Sequence, residues 1–279
     1  FQLTTDIIFT DDVYSLYPNQ SPEQSIRTYM INEIANNANA KYLLLLGDEI
    51  SIPPIRANNQ SPSDDFYTSE IQLQGDPQLS TGRIPVNSAE NGLKIVNKIR
   101  DYILDPTQGD WRSRMVLVSD DENKEGAFNY SEFSHTLNSD KIYDKLNDKL
   151  VIYQIYGPEY EPVNGPSGLL HQDMNNDILE LINSGVSLIN YIGHGSPIAW
   201  SDEKILDMER DLDFICSPGT ECYDNKKQPI WIVGTCSFGE YDETNSMTEE
   251  LLKSDFGGIA VIATTRGVGV STNINYLEN

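Results

Sequence analysis

Short apolar runs, each closing on polar or small residues, set the rhythm of this chain. Tyr42 to Leu46 (YLLLL) closes on Gly47-Asp48, and Met115 to Val118 closes on Ser119-Asp120-Asp121. Val186 to Gly193 (VSLINYIG) delivers His194-Gly195, and Pro229 to Thr235 (PIWIVGT) delivers Cys236. Apolar runs of this length, bounded by turn residues, predict buried strands. In the carboxy-terminal part the strands fall at about 115–119, 150–156, 186–193, 229–235 and 258–264. Helical spacing predicts helices near 131–147, 174–183, 202–208 and 246–254. The last of these opens on Ser246-Met247-Thr248-Glu249, a capping box.

Upstream, Ser21-Pro22-Glu23 opens a helix that runs to about Asn36, with proline at its first position. A Pro- and Asn-rich loop runs from Ile52 to Asp65, and Ser80 to Val86 reads as a short edge segment. The next helix lines up Leu93, Val96, Ile99, Ile103 and Leu104 on one face, with Asn87 as its expected cap and Glu90 three residues on. Asp105 to Trp111 (DPTQGDW) is the best linker. Strands alternating with helices imply crossovers and a parallel sheet. The expected architecture is therefore α/β, with subdomains 1–110 and 111–279 and the chemistry in the second.

If the strands ending near 119, 193 and 235 are neighbours, they point a carboxylate, an imidazole and a thiol at one edge. In open α/β sheets that edge, outside the carboxyl ends of the strands, is where ligands bind. A thiol within reach of an imidazole is the minimum for a cysteine nucleophile. A lone histidine is more often structural, and a free cysteine more often buried and inert. Here Gly193 and Gly195 flank His194 and let the backbone turn sharply and approach a ligand closely. Cys236 steps into Ser237-Phe238-Gly239, a turn-like stretch with free N–H groups. The N–H groups of Gly195 and Cys236 are the natural oxyanion donors. His135 and His171 lack such a setting and read as surface or packing residues.

The formal charge is −24, from 43 acidic against 19 basic side chains. With no basic stripe to neutralise phosphates, nucleic acid is excluded as a partner. Asp11-Asp12, Asp64-Asp65 and the run from Asp120 to Glu125 offer hard oxygen ligands, so structural calcium is considered, although none has EF-hand spacing. No cofactor is required for the chemistry. Zinc would need closely spaced ligands such as Cys-x-x-Cys or His-Glu-x-x-His, and neither occurs. Gly267-Val268-Gly269 lacks the further glycine and the lysine of a phosphate-cradling loop. Cys216 and Cys222 flank a short loop and are either bridged or two free thiols, which leaves Cys236 unpaired. There is no apolar stretch of bilayer-spanning length and no amino-terminal signal pattern. A start on Phe1 and a stop just after an apolar run read as a fragment of a longer parent chain.

The residues from Asn190 to Ser196 (NYIGHGS), then Trp200, Thr235-Cys236 and Gly258 to Ala263, resemble the gingipain family of cysteine peptidases. So do Tyr42 to Asp48, Ile52-Pro53-Pro54 and Gly82 to Val86, so the likeness covers most of the chain. It implies a caspase-like fold of mainly parallel sheets flanked by helices in two α/β subdomains. It also implies His194 as catalytic base and Cys236 as nucleophile. The family's carboxylate follows the strand at 115–119, making Asp121 the first choice and Asp120 the fallback.

Gly109-Asp110-Trp111-Arg112, Ser119-Asp120-Asp121, Phe238, Tyr241-Asp242 and Thr264-Thr265-Arg266 are similar to the sortase branch of that family, which serves type IX secretion. That branch implies an enzyme on the outer face of the bacterial outer membrane, with secretion components as partners. Its substrates are the carboxy-terminal sorting domains of secreted cargo. Gly239-Glu240 stands where the branch carries an arginine, and His194 to Pro197 is equally similar to secreted gingipains. The alternatives are a secreted endopeptidase and a silent scaffold that binds cargo.

Overall fold

The computed structural model describes residues 3–57, 61–71, 74–121, 133–165, 168–243 and 245–269. The chain divides into two units, Phe1–Leu93 and Lys94–Asn279, each with its own core. In the first, helices α1 (Thr10–Leu16) and α2 (Pro22–Asn36) precede strand β1 (Tyr42–Leu46). This strand pairs in parallel with β2 (Ser80–Ile84), so the expected edge segment is half of a two-stranded sheet. Val13, Ile26, Leu45, Ile52, Ile55 and Tyr67 make the core. The intervening loop is gathered by Arg83. Its guanidinium donates to both Asp64 carboxylate oxygens and to the carbonyls of Gly47, Asp48 and Ile52. A planar fork of five donors suits that task.

Helix α3 (Ala89–Leu104) spans the division between the units. Its first turn is capped by Ser88, whose Oγ accepts from the Asn91 N–H at 3.2 Å, rather than by Asn87 as expected. Serine at this position satisfies an orphan donor as asparagine would have, one residue further along.

The second unit runs β3 (Arg114–Ser119), α4 (Ser134–Leu146), β4 (Val151–Tyr156), α5 (Gln172–Ser184), β5 (Leu188–Ile192), β6 (Ile230–Gly234), α6 (Met247–Lys253) and β7 (Ala260–Ala263). The strands form one parallel sheet in the order β7-β6-β5-β3-β4. Successive side chains leave a strand on opposite faces, which divides the apolar runs between two cores. Val116, Val118, Ile189, Tyr191, Trp231 and Val233 pack with Met174, Ile178 and Ile182 of α5 and with Met247 and Leu251 of α6. Met115, Leu117 and Ile192 pack on the other side with Ile142, Tyr143 and Leu146 of α4. Strands buried on both faces explain why these runs are continuous rather than alternating.

The helix expected near 202–208 is absent. Ser201 and Lys204 take left-handed φ values of 56° and 51°, and Ala199–Trp200 pairs antiparallel with Leu206–Asp207. Asp207 then caps a single turn, Met208–Asp211, by accepting from the N–H groups of Glu209 and Arg210. Helical propensity lost here to burial, since Ile205 and Leu206 are both fully enclosed. Cys216 and Cys222 form a disulfide, and Cys236 is the free cysteine among the described residues.

Candidate active site

The sheet order reverses between β3 and β5: after β4 is laid on one side of β3, the chain crosses to the other side for β5 and continues outward. Such a switch point opens a crevice at the carboxyl ends of the strands. In register, Ser119 stands beside Ile192, and Ile192 beside Gly234. Asp121, His194 and Cys236 each lie two residues past one of these three positions. Neighbouring strands run about 4.8 Å apart, so the three expected residues leave the sheet at one level on adjacent strand ends.

The backbone at His194 is held from several directions. Its N–H donates to Asp120 Oδ2 at 3.0 Å, and its carbonyl accepts from the Tyr191 hydroxyl at 2.6 Å. Tyr191 is itself fixed by a parallel stack on Trp200, with ring centroids 4.2 Å apart. Both flanking glycines are required by close approach to protein. A Cβ on Gly193 would stand 2.3 Å from the Tyr191 hydroxyl and 2.5 Å from Asp120 Cβ, and one on Gly195 would stand 2.7 Å from Thr235 Oγ1. The second approach stitches the loop after β5 to the residue preceding Cys236.

Cys236 is half-buried at a sharp bend, because the next residue, Ser237, takes a φ of 57°. A non-glycine residue in the left-handed region is uncommon and marks a constrained turn. The segment after β7 closes over this turn. The Cys236 sulfur lies 3.4 Å from the Val268 N–H nitrogen and 3.7 Å from the Val268 carbonyl oxygen. Arg266 accepts from the Ser237 N–H through its carbonyl, and its guanidinium pairs with Asp242 at 2.9 Å and Glu243 at 2.7 Å. Two sequence blocks noted separately, Tyr241-Asp242 and Thr264-Thr265-Arg266, are thus the halves of one clamp around the thiol. Among the described residues the N–H groups of Gly195 and Cys236 donate to no protein acceptor.

The two candidate carboxylates differ in what they touch. Asp120 is enclosed, accepting from the His194 and Asp121 N–H groups. Burial pushes its pKa up to about 7 against the pull of the His194 N–H. Asp121 Oδ2 lies 3.4 Å from His171 Nε2, and that contact raises the His171 pKa. Glu203, its pKa also raised by burial, completes a group of three carboxylates whose nearest oxygens lie within 4.8 Å of one another. These are the hard donors calcium prefers, and with one oxygen from each, further carboxylate oxygens, backbone carbonyls or waters would have to complete the six to eight it takes. Of the other acid-rich loops, Asp64 is spent on Arg83, Asp11 and Asp12 lie in the first turn of α1, and 122–125 fall outside the described residues.

Neither of the other histidines lies on the surface. His171 is buried beside Asp121, and His135 is buried with its ring 5.5 Å from that of His194 at an interplanar angle of 77°. Nothing in their local sequence signalled this, because their burial depends on packing between distant segments.

Residues 2–279 match peptidase family C25. The chain belongs to that family. Relatives with which it aligns include Gingipain R2 of Porphyromonas gingivalis, at 24% identity over 71% of this chain and 25% of that protein. A protein of Archaeoglobus fulgidus is 23% identical over 96% of this chain and 70% of that one. The crystal structure of the Arg specific cysteine proteinase gingipain R superposes with a TM-score of 0.70 at 20% identity, covering 95% of this chain and 57% of that one. The complex of the pro- and mature domains of Porphyromonas gingivalis RgpB gives 0.69 at 18% identity, over 98% and 60%. The C25 chain described here is therefore a gingipain-family cysteine peptidase with the caspase-like fold, and it spans about a quarter of Gingipain R2.

Proposed function

We propose that Cys236 and His194 carry out acyl transfer through a thioester, as in a PorU-type sortase that removes the carboxy-terminal sorting domains of type IX secretion cargo. The observation that supports this most is the common register of Ser119, Ile192 and Gly234, from which Asp121, His194 and Cys236 project. His194 takes the thiol proton, and the thiolate attacks the peptide carbonyl. The Gly195 and Cys236 N–H groups hold the oxyanion, each typically contributing about 3 kcal/mol. His194 returns the proton to the departing amine, leaving a thioester on Cys236. Water then releases the acid, or an amine on a surface glycolipid takes the acyl group into a new amide, and the thiol is restored. Asp121 orients the imidazole, with Asp120 as the alternative.

The finer assignment is supported by the Gly109 to Arg112 block and by the pairing of Arg266 with Asp242. It carries with it a location at the cell surface and contact with secretion components. No helix among the described residues is long and apolar enough to cross a membrane. The similarity to Gingipain R2 favours a second reading, a secreted endopeptidase.

Mass spectrometry of a cargo protein bearing its sorting domain, incubated with wild-type chain or Cys236→Ala, separates these readings. A sortase yields cargo trimmed at one site by wild type alone, with the mass of water or of an amine added at the new end. Fragmentation throughout the cargo marks the endopeptidase. Intact cargo in both samples overturns the sortase assignment, and failure of iodoacetamide to alkylate Cys236 selectively favours a scaffold.

A further inference from the structure

The amino-terminal edge of the parallel sheet, opposite the catalytic residues, holds a cavity of about 330 Å³. It lies between the second half of α3 and the residues that lead into β3, β6 and β7, all within the second unit. That volume is at the small end of the range for ligand pockets. Its walls carry aromatic rings, Tyr102 of α3, Trp111 before β3 and Phe256 before β7. Trp111 is buried and tied through its indole N–H to the Thr107 carbonyl at 3.1 Å, and Phe256 is braced edge-to-face by Tyr223. Four of the chain's 19 basic side chains also line the cavity. Two are occupied within the fold, Lys94 by Asp255 at 3.0 Å and Lys98 by three backbone carbonyls. The other two, Arg112 and Lys226, make no side-chain hydrogen bond or ion pair among the described residues. In a chain of formal charge −24, two cations without a counter-charge on one small cavity call for an anion.

Two further residues narrow the ligand. Lys226 takes a φ of 52° just past the short helix Glu221–Asp224, a left-handed position that suits glycine better. Lysine there keeps an ammonium at the cavity despite the less favourable backbone. Gln228 is 4% exposed, and its amide N–H donates to the Asp255 carbonyl at 3.2 Å, while its buried Oε1 accepts from no protein group. A buried acceptor without a donor is destabilising, and a bound N–H would relieve it. We propose that this cavity binds an aromatic amino acid by its α-carboxylate, either free or as the last residue of a peptide. The carboxylate meets Arg112 and Lys226, the ring lies against Trp111, Phe256 and Tyr102, and the α-nitrogen donates to Gln228 Oε1. A guanidinium matches a carboxylate with two parallel donors. Asp105 on the cavity wall has no partner among the described residues and separates the two sources, since only the free amino acid brings it an α-ammonium. The cavity lies at the other end of β6 from Cys236, so this binding does not depend on how the thiol is read.

Isothermal titration calorimetry of the full chain tests this with N-acetyl-L-phenylalanine, L-phenylalanine and L-phenylalanine amide. At least one of the two carboxylates is expected to bind saturably at millimolar concentration or below, and the amide about tenfold or more weakly. Arg112→Gln and Lys226→Gly, both at exposed positions, are each expected to weaken the bound carboxylate by about tenfold. Urea midpoints at or above that of wild type show that the variants are folded, so a loss of binding is not a loss of structure. Tighter binding of L-phenylalanine than of its N-acetyl form assigns the site to the free amino acid and to Asp105, and the reverse order assigns it to a peptide end. No saturable binding of either carboxylate overturns the proposal. So does an amide that binds as well as the carboxylates, or an affinity that neither variant lowers.

Discussion

A carboxylate deprived of water must find donors or keep its proton. Asp120 does some of each, with two backbone N–H groups on it and a pKa still pushed up to about 7. In an unfolded chain an aspartate ionises near pH 3.9. Between these values the folded state holds a proton that the unfolded state has released. The stabilisation is therefore complete below about pH 4 and is lost as the pH rises through about 7. The shift of about three units corresponds to at most roughly 4 kcal/mol. His135 works in the opposite direction, since its lowered pKa costs stability as the pH falls below about 6.5. The Asp120 contribution is therefore read as a difference between proteins. Urea unfolding should show wild type losing stability relative to Asp120→Asn between pH 5 and pH 7.5, and parallel curves would remove Asp120 as the cause. In turnover, Asp121→Asn should retain roughly a hundredfold more activity than Cys236→Ala, as expected when an orienting group is lost rather than the nucleophile. Loss in Asp120→Asn with Asp121→Asn unaffected would transfer the orienting role to Asp120.

Helix α6 shows how elements near the site are secured at both ends. At its start, Ser246 accepts from the Glu249 N–H and Glu249 accepts from the Ser246 N–H, the reciprocal pair expected from the spacing of Ser246 and Glu249. Past its end, the Lys98 ammonium donates to the carbonyls of Leu252, Ser254 and Gly258 at 2.6, 2.9 and 2.9 Å. Carbonyls at a helix terminus have no partner within the helix and must be satisfied from outside. Removing the cap in Ser246→Ala should cost about 1 kcal/mol. Lys98→Met should cost more, about 3 kcal/mol, because it strips charged donors from three carbonyls at once. Thermal unfolding of the two variants checks the order, and equal midpoints would show that water replaces the ammonium. The two ends differed in legibility. A capping box is a local pattern and can be read from residues 246–249, whereas a lysine 154 positions away is invisible until the helices are packed. The same contrast separates the strand ends from their surroundings. The apolar runs leading to His194 and Cys236 announced both residues. The segment at 201–207 and the burial of His135 and His171 were decided by neighbours that no local window contains.

Across the whole molecule, the site sits in a strongly negative field, since the chain carries a formal charge of −24. Like charges at this density repel one another in the compact state and draw cations toward the surface. Both effects are screened by salt over a known range. Raising the ionic strength from about 0.01 M to about 0.15 M shortens the screening length from about 30 Å to about 8 Å. The buried groups that define the site, Asp120 above all, are shielded from solvent and respond little. Two consequences should appear together. The urea midpoint of the chain should rise with sodium chloride, because self-repulsion relaxes while exposed ion pairs such as that of Lys94 with Asp255 contribute little. Over the same range kcat/KM for a lysine- and arginine-rich peptide should fall, through slower capture, while a neutral peptide of equal length is processed at an unchanged rate. A midpoint that falls with salt would mean that networks such as Arg266 with Asp242 and Glu243 outweigh the net repulsion. Equal salt sensitivity for both peptides would mean that the field does not steer substrate to the crevice between β3 and β5.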